Sequence, residues 1–211
     1  MNIEGLSAAF APAKRAEPIP YYAQVLDELL RTSSSLVDKI VLMHDMARIE
    51  DGDYEFHASP CDMKELLEEI AGSLQSHPAA SDRLIAVESK EGRSIVTDRL
   101  LLARVVRCMI KNALESEPRG GRVRVGCDAG PGGGLQVWVR NPSVMPLDAQ
   151  REMFRRSRST SGDGPGLRTY SMRLLTEAYL KGSMIFRSEP GLGTEVRAFL
   201  PADVGVRPRT A

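Results

Sequence analysis

A net charge is what this 211-residue chain most plainly lacks: Lys+Arg and Asp+Glu both total 28. No global field therefore draws it onto nucleic acid or an acidic membrane surface, and neither is expected as a partner. Cysteine is equally scarce. Cys61, Cys108 and Cys127 lie far apart and form no CxxC pair, which excludes a disulfide framework and a cysteine zinc site. Two of the three sit in apolar surroundings, as reduced cytosolic thiols do. No apolar run approaches the roughly 18 residues of a membrane span. The opening "MNIEGLSAAFAPAKRAEP" lacks both the basic start and the long apolar core of a signal peptide, so a soluble cytoplasmic chain is expected. Its length gives room for one α/β domain and a small helical element.

What is present begins with a seam. Tyr22, Leu26, Leu29, Ser33, Leu36, Ile40, Met43 and Ala47 recur in alternating steps of four and three, the heptad pattern of one long helix, and Leu30, Val37 and Val41 widen it. So broad a stripe predicts packing against a second helix or a second subunit, hence a homodimer. The triplet Ser33 to Ser35 offers an alternative break into a hairpin, with Ser35 as N-cap and Asp38 three residues on. Gly52 ends the helix. The organisation that follows is a tail over 1–20, a dimerisation-type helix over 21–52, a domain over 53–201 and a tail over 202–211.

Within the domain, "YEFH" reads as a short extended piece closed by Pro60, and "DMKELLEEIAGSLQ" as an amphipathic helix. "LIAVES" and "SIVTD" read as strands. "RLLLARVVRCMIKNALES" carries Leu101, Leu102, Val105, Val106, Met109, Ile110 and Ala113 at helical spacing. "GRVRVGCDA" and "GLQVWVRN" alternate apolar and polar residues on either side of a "GPGGG" turn, and a last hairpin follows the helix "TYSMRLLTEAYL". Hairpin-joined strands interleaved with helices predict a two-layer α/β sandwich: a mixed, mostly antiparallel sheet with helices on one face.

Two places carry chemistry. Asn112 lies at the border of the apolar stripe in "IKNALES", where an amide can ligate a hard cation through oxygen, cap a neighbouring loop or satisfy a core partner. Residues 151–168 hold Arg151, Arg155, Arg156, Arg158 and Arg168 against Glu152 and Asp163, a local excess of positive charge that suits an anion. "GDGPGLRTYS" sets Gly162, Gly164 and Gly166 before a helix, where backbone N–H groups can approach phosphate; an ordinary flexible loop and helix cap has the same composition.

In this order the pieces resemble the ATP-binding catalytic domain of sensor histidine kinases, whose fold is shared with gyrase B, the Hsp90 chaperones and MutL. "LVDKIVLMHDMARIEDGDYEF" is similar to the family's last dimerisation helix and exit strand, and "CDMKELLEEI" to the first helix of its ATP-binding domain. "VTDRLLLARVVRCMIKNALES" resembles the N box, "RNPSVMP" the first glycine box, "EMFRRSRST" the F box, "GDGPGLRTYS" the second glycine box, and "GLGTEVRAFLP" the closing strand. The likeness runs from Leu36 to Pro201.

The resemblance implies ATP and Mg²⁺ as cofactors. Asn112 matches the amide that helps hold the metal between the phosphates. Asn141 falls nearest the adenine-reading aspartate, and Thr194 matches the threonine beside it. Ser159, Thr160, Gly164, Gly166, Leu167, Arg168 and Thr169 match the lid and the phosphate-facing helix start. Met145 and Phe154 would wall the adenine pocket and anchor the lid, or simply pack in the core. "RNPSV" departs from the pattern, because Asn141 replaces an aspartate and Pro142 and Val144 lack the freedom of glycine. Arg168 stands where a glycine closes the second box, Ser161 where a lysine is usual, and Cys108 where an asparagine is frequent.

Histidine is scarce as well: His44, His57 and His77 are the only ones. His44 precedes Asp45 on a helix and is the single candidate phosphoacceptor, although the resemblance places it near the end of the second dimerisation helix, not on the first. The implied function is phosphoryl transfer from Mg·ATP to a histidine in two-component signalling, with a response regulator or histidine-bearing protein as partner. A non-catalytic relative that docks a response regulator as a phosphotransfer or scaffold protein is the second reading. A chaperone- or DNA-linked ATPase is disfavoured, since Cys108 cannot replace a glutamate that activates water.

Overall fold

The computed structural model describes positions 25, 26, 28–30, 32, 33, 36, 37, 40, 43 and 47, then 54–89, 92–154 and 166–204, without the side chains of 152, 166 and 167. Two units divide the chain, Met1–Asp38 and Lys39–Ala211. In the first, the described residues are helical, and Val25, Leu26, Leu29, Leu30, Leu36 and Val37 are exposed. In the second, the helical positions Ile40 and Met43 are likewise exposed. Whether 21–52 forms one helix or a hairpin lies outside the described residues.

The remainder of the second unit runs β1 (Ala58–Asp62), α1 (Met63–Gln75), β2 (Leu84–Ser89), β3 (Ser94–Asp98), α2 (Arg99–Ser116), β4 (Arg122–Ala129), β5 (Leu135–Asn141), α3 (Leu147–Glu152), α4 (Gly166–Leu174), a π-helical turn (Leu175–Tyr179), β6 (Ser183–Glu189) and β7 (Gly193–Leu200). Five strands form one sheet in the order β2-β4-β5-β7-β6. Only β2–β4 is parallel, joined by a crossover through β3 and α2; the other pairs are antiparallel. This is the mixed two-layer α/β fold that the alternating strands imply.

Each layer follows from its sequence period. On α1, Met63, Leu66, Leu67, Ile70 and Leu74 are at most 1% exposed, and α2 buries Leu101, Leu102, Val105, Val106, Met109, Ile110 and Leu114. These side chains meet Val123 and Val125 of β4, Val137 and Val139 of β5, and Val196, Ala198 and Leu200 of β7 in one core. Fully burying a leucine contributes about 1.5–3 kcal/mol, so this apolar layer is the principal stabilising term. The alternate residues form a polar outer face, where Arg124 pairs with Glu88 at 2.6 Å and Arg140 and Arg197 both pair with Glu195. Trp138 belongs to that face yet is only 4% exposed, because its register partner is Gly126, and a Cβ there would collide with the indole ring. The indole Nε1 donates to Asp128 Oδ2 at 2.8 Å, and the Arg140 guanidinium lies 4.4 Å over the ring.

One expectation shifts. The extended piece read at Tyr54 to His57 forms no strand; the strand is Ala58–Asp62, and it pairs antiparallel with β3 as a separate two-stranded sheet. Pro60 is tolerated because both strands of such a sheet are edges. Tyr54 and His57 instead anchor to the start of α2. Asp98 caps that helix by accepting from Leu100 N and Leu101 N at 3.0 Å, while its other oxygen accepts from Tyr54 Oη and His57 N at 2.9 Å. Beyond β7, Ala202 O accepts from Val96 N, and Val204 N donates to Val96 O.

Candidate functional site

Helix α2 carries Asn112 and, one turn on, Glu115; residues three apart share a face. Helix α4 brings Arg168 against that face from 53 residues farther along the chain. Its Nη1 lies 2.5 Å from Glu115 Oε2 and makes a long hydrogen bond of 3.4 Å to Asn112 Oδ1. The Arg168 side chain is 14% exposed and Glu115 47%, so the pair closes one end of the seam between the helices while remaining open to solvent on the Glu115 side. Asn112 of the N-box stretch and Arg168 at the start of α4 thus converge. What meets the amide oxygen is a guanidinium.

The second cluster lies at the end of β5. Asn141 and Thr194 are direct partners in the β5–β7 register, 5% and 6% exposed. Asn141 Nδ2 donates to Glu117 Oε1 at 2.8 Å, and the same oxygen accepts from Ser143 N at 2.7 Å. Glu117 is the C-cap residue of α2 and is 4% exposed. Thr194 Oγ1 donates to Ser143 O at 2.8 Å; its single proton being used there, Ser188 Oγ is the donor in the 2.7 Å contact between the two hydroxyls. Ser188 Oγ in turn accepts from Met145 N at 2.7 Å. A directed chain therefore runs Met145 N–H, Ser188, Thr194, Ser143 carbonyl. Gly193 has φ +77°, and a Cβ there would strike the Asn141 and Pro142 carbonyls, so the close passage of β7 under this loop requires glycine.

The carboxylate that "RNPSV" lacks is consequently present but comes from elsewhere. Glu117 can only accept, which turns the Asn141 amide nitrogen toward it and leaves Asn141 Oδ1 as the acceptor able to meet an amino group. An aspartate at 141 would set two carboxylates against each other. The loop 142–145 is held by hydrogen bonds to Glu117, Thr194 and Ser188.

Met145 and Phe154 are partly buried against the core. Phe154 meets Phe186 edge-on at 5.8 Å, with the Arg173 guanidinium 6.0 Å from its ring. A cavity of about 400 Å³ is lined by Phe154, Tyr170, Arg173, Leu174, Glu177 and Ala178; none of Asn112, Asn141 and Thr194 lines it. Thr169 is 1% exposed in the interior of the fold. Gly166 and Leu167 open α4. His44, Ser159, Thr160 and Gly164 lie outside the described residues.

Magnesium does not fit the groups that are described. The oxygen it would use, Asn112 Oδ1, and the neighbouring Glu115 Oε2 both face Arg168 Nη1, and a dication there would meet a guanidinium already ion-paired. Among the described residues no group of three or more His, Cys, Asp or Glu is placed to hold a metal. None of the described helices is long and apolar enough to cross a membrane.

Glu115, Glu117 and Ser188 were not singled out by sequence reasoning. Glu117 had one visible signal: an acid at a helix C-terminus opposes the helix dipole and needs a partner elsewhere. Burial raises the thiol pKa of Cys61 and pushes that of Cys127 up to about 12, so neither is an ionised nucleophile near neutrality.

Residues 97–204, just over half of the chain, match the family described as histidine kinase-, DNA gyrase B-, and HSP90-like ATPase. The histidine protein kinase DivJ of Caulobacter vibrioides is 27% identical over 187 residues, which cover 85% of this chain and 31% of that protein. The chain therefore spans about a third of that relative's length. Full-length ShkA, solved in complex with AMPPNP, matches with a TM-score of 0.60 and 25% identity over 90% of this chain and 40% of that one. The histidine kinase ThkA, solved with the response regulator protein TrrA, matches in fold with a TM-score of 0.62 and 16% identity over 97% of this chain and 57% of that one. The element order, the Asn112–Arg168 convergence and these likenesses agree: the chain belongs to the histidine kinase-, DNA gyrase B-, and HSP90-like ATPase family and carries the ATP-binding catalytic domain of sensor histidine kinases.

Proposed function

We propose that this chain binds ATP in the seam between α2 and α4 and presents its γ-phosphoryl group to a histidine in two-component signalling. The observation that carries the reading is the convergence of Asn112 with Arg168, which sets a polar oxygen and a guanidinium together beside a helix start. Phosphoryl transfer asks mainly for positioning and charge neutralisation, and an arginine fork supplies both to a phosphate. Asn141 Oδ1 would accept from the adenine amino group, with Glu117 fixing the amide's orientation. Ser159, Thr160, Gly164, Gly166 and Leu167 are proposed as the phosphate-side lid and helix start. The ShkA complex with AMPPNP and the ThkA complex with a response regulator support the ligand and the partner class by likeness.

The acceptor histidine is placed on a partner chain and not at His44. Incubation with γ-labelled ATP then leaves no acid-labile label that His44→Ala removes; such a label would make His44 the acceptor. The exposed apolar residues Leu26, Leu29, Leu36, Ile40 and Met43 support a homodimer through 21–52, in a cytoplasmic protein. Sedimentation of the full chain, with Leu29→Asp and Ile40→Asp, tests the dimer, and a monomeric wild type at micromolar concentration rejects it.

One observation favours a second reading, a non-catalytic module that docks a response regulator. Glu117, Ser143, Thr194 and Ser188 satisfy one another at the adenine end without any ligand. Photo-crosslinking with an azido-ATP decides between the two. A competable cross-link in α2 or β5 supports nucleotide binding, and its absence, with receiver-domain binding retained, supports docking alone.

A further inference from the structure

We propose that Arg168 holds the place of the metal: in this site the positive charge beside Asn112 is a guanidinium, and the nucleotide is taken as the free anion without a divalent cation. The inference rests on the nucleotide reading above and specifies the ionic form of its ligand.

Two observations carry it. Two side-chain oxygens on one face of α2, Asn112 Oδ1 and Glu115 Oε2, converge on a single nitrogen, Arg168 Nη1, at 3.4 and 2.5 Å. Arg168 is 14% exposed, so its fork is packed in position and is not a side chain sweeping through solvent.

The chemistry follows from the charges. A small dication needs near-octahedral oxygen ligands and would have to displace a charge-assisted ion pair to reach Asn112. Phosphate needs only donors and positive charge. Arginine has five N–H donors in a rigid plane, and the contacts to Asn112 and Glu115 use one nitrogen, so Nε and Nη2 remain to donate to a phosphate oxygen without the fork moving. Glu115 cancels one unit of that charge, which makes the site a weaker anion trap than a metal-loaded one. A lysine or glycine at 168 could not substitute, the first for want of the planar fork and the second for want of any charge.

The test is calorimetric titration of the full chain with a non-hydrolysable ATP analogue, in EDTA and in excess Mg²⁺, for wild type, Arg168→Gly and Arg168→Ala, with melting curves confirming that each form folds. Wild type is expected to bind with affinity that changes less than about twofold between the two buffers. The variants are expected to lose at least about tenfold in EDTA, the scale of a charge-assisted hydrogen bond, and to recover with Mg²⁺. Wild-type binding that requires Mg²⁺ overturns the proposal, and that arm needs no variant to fold. Failure of wild type to bind in either buffer, with Mg²⁺-dependent binding by the variants, overturns the proposal that the native site takes the free anion and leaves Arg168 only as a group that keeps the metal out. No binding by any folded form sinks both readings.

Discussion

Asn141 donates its amide nitrogen to Glu117 Oε1 across 2.8 Å, and both residues are more than nine-tenths buried. In the proposed nucleotide site the pair would divide between two residues what a lone aspartate does in the pattern this chain resembles, with Glu117 the carboxylate and Asn141 the second acceptor. A buried carboxylate tolerates a donor beside it and resists a second carboxylate. Asn141→Asp, which restores the familiar residue, is therefore expected to destabilise the fold by about 1–3 kcal/mol at pH 7. One carboxyl of the new pair would have its folded pKa raised, a penalty that grows as pH rises above the unfolded value near 4. The deficit should thus narrow at pH 5. Urea melts of wild type and variant at both pH values check it, and an Asn141→Asp protein as stable as wild type at pH 7 would contradict the assigned role of Glu117.

Asp98 joins the segment that leads into the domain to the helix that carries Asn112. It accepts from four donors, two in the first turn of α2 and two from Tyr54 and His57. Asp98→Ala loses the cap and strands buried donors, an expected cost of about 2–4 kcal/mol. Tyr54→Phe removes one hydrogen bond and should cost about 1 kcal/mol. Thermal melts of the two variants give the ordering, and equal effects would mean that the cap contributes little.

Cys127 faces the core at 1% exposure, and burial is the largest cause of its raised pKa, followed by a lowering from Arg93 and a raising from Asp128. A thiol with a folded pKa of about 12 against an ordinary value of 9.0 favours the fold while the unfolded thiol stays protonated. That contribution is complete below about pH 9 and is lost as pH rises toward the folded value. Wild type should accordingly lose more stability than Cys127→Ala between pH 9 and pH 11. In the native state at pH 8, Cys127 should resist a thiol reagent that labels half-buried Cys108; labelling of Cys127 at the rate seen in the denatured chain would contradict the burial.

The sheet was readable in the sequence because burial and exposure alternate over much of β4 and β7, where one face is covered. Val123 and Val125 point inward between Arg122 and Arg124, and the "GPGGG" turn joins β4 to β5 as the pattern requires. The stripe on α2 was readable for the same reason at period 3.6. The β1–β3 pair was not, since Ala58–Asp62 has no alternation and a proline at its centre. Helix α4 gives way to a π-helical turn at Leu175, inside a run that reads as uniform helix to Leu180. The site was readable as a set of boxes and not as a set of contacts. Arg168 meets Glu115 across 53 residues, and Glu117 meets Asn141 across 24, pairings that no local period encodes.

The account stands on nucleotide occupying the seam between α2 and α4. Its most direct test is titration of the isotopically labelled full chain with a non-hydrolysable ATP analogue, followed at the backbone amides of Asn112, Glu115, Arg168 and Thr169. The account predicts saturable shifts at these four positions, while amides on the polar face of the sheet such as Arg124 and Arg197 stay still. All of the amides unmoved at millimolar nucleotide, in EDTA and in Mg²⁺ alike, would contradict it.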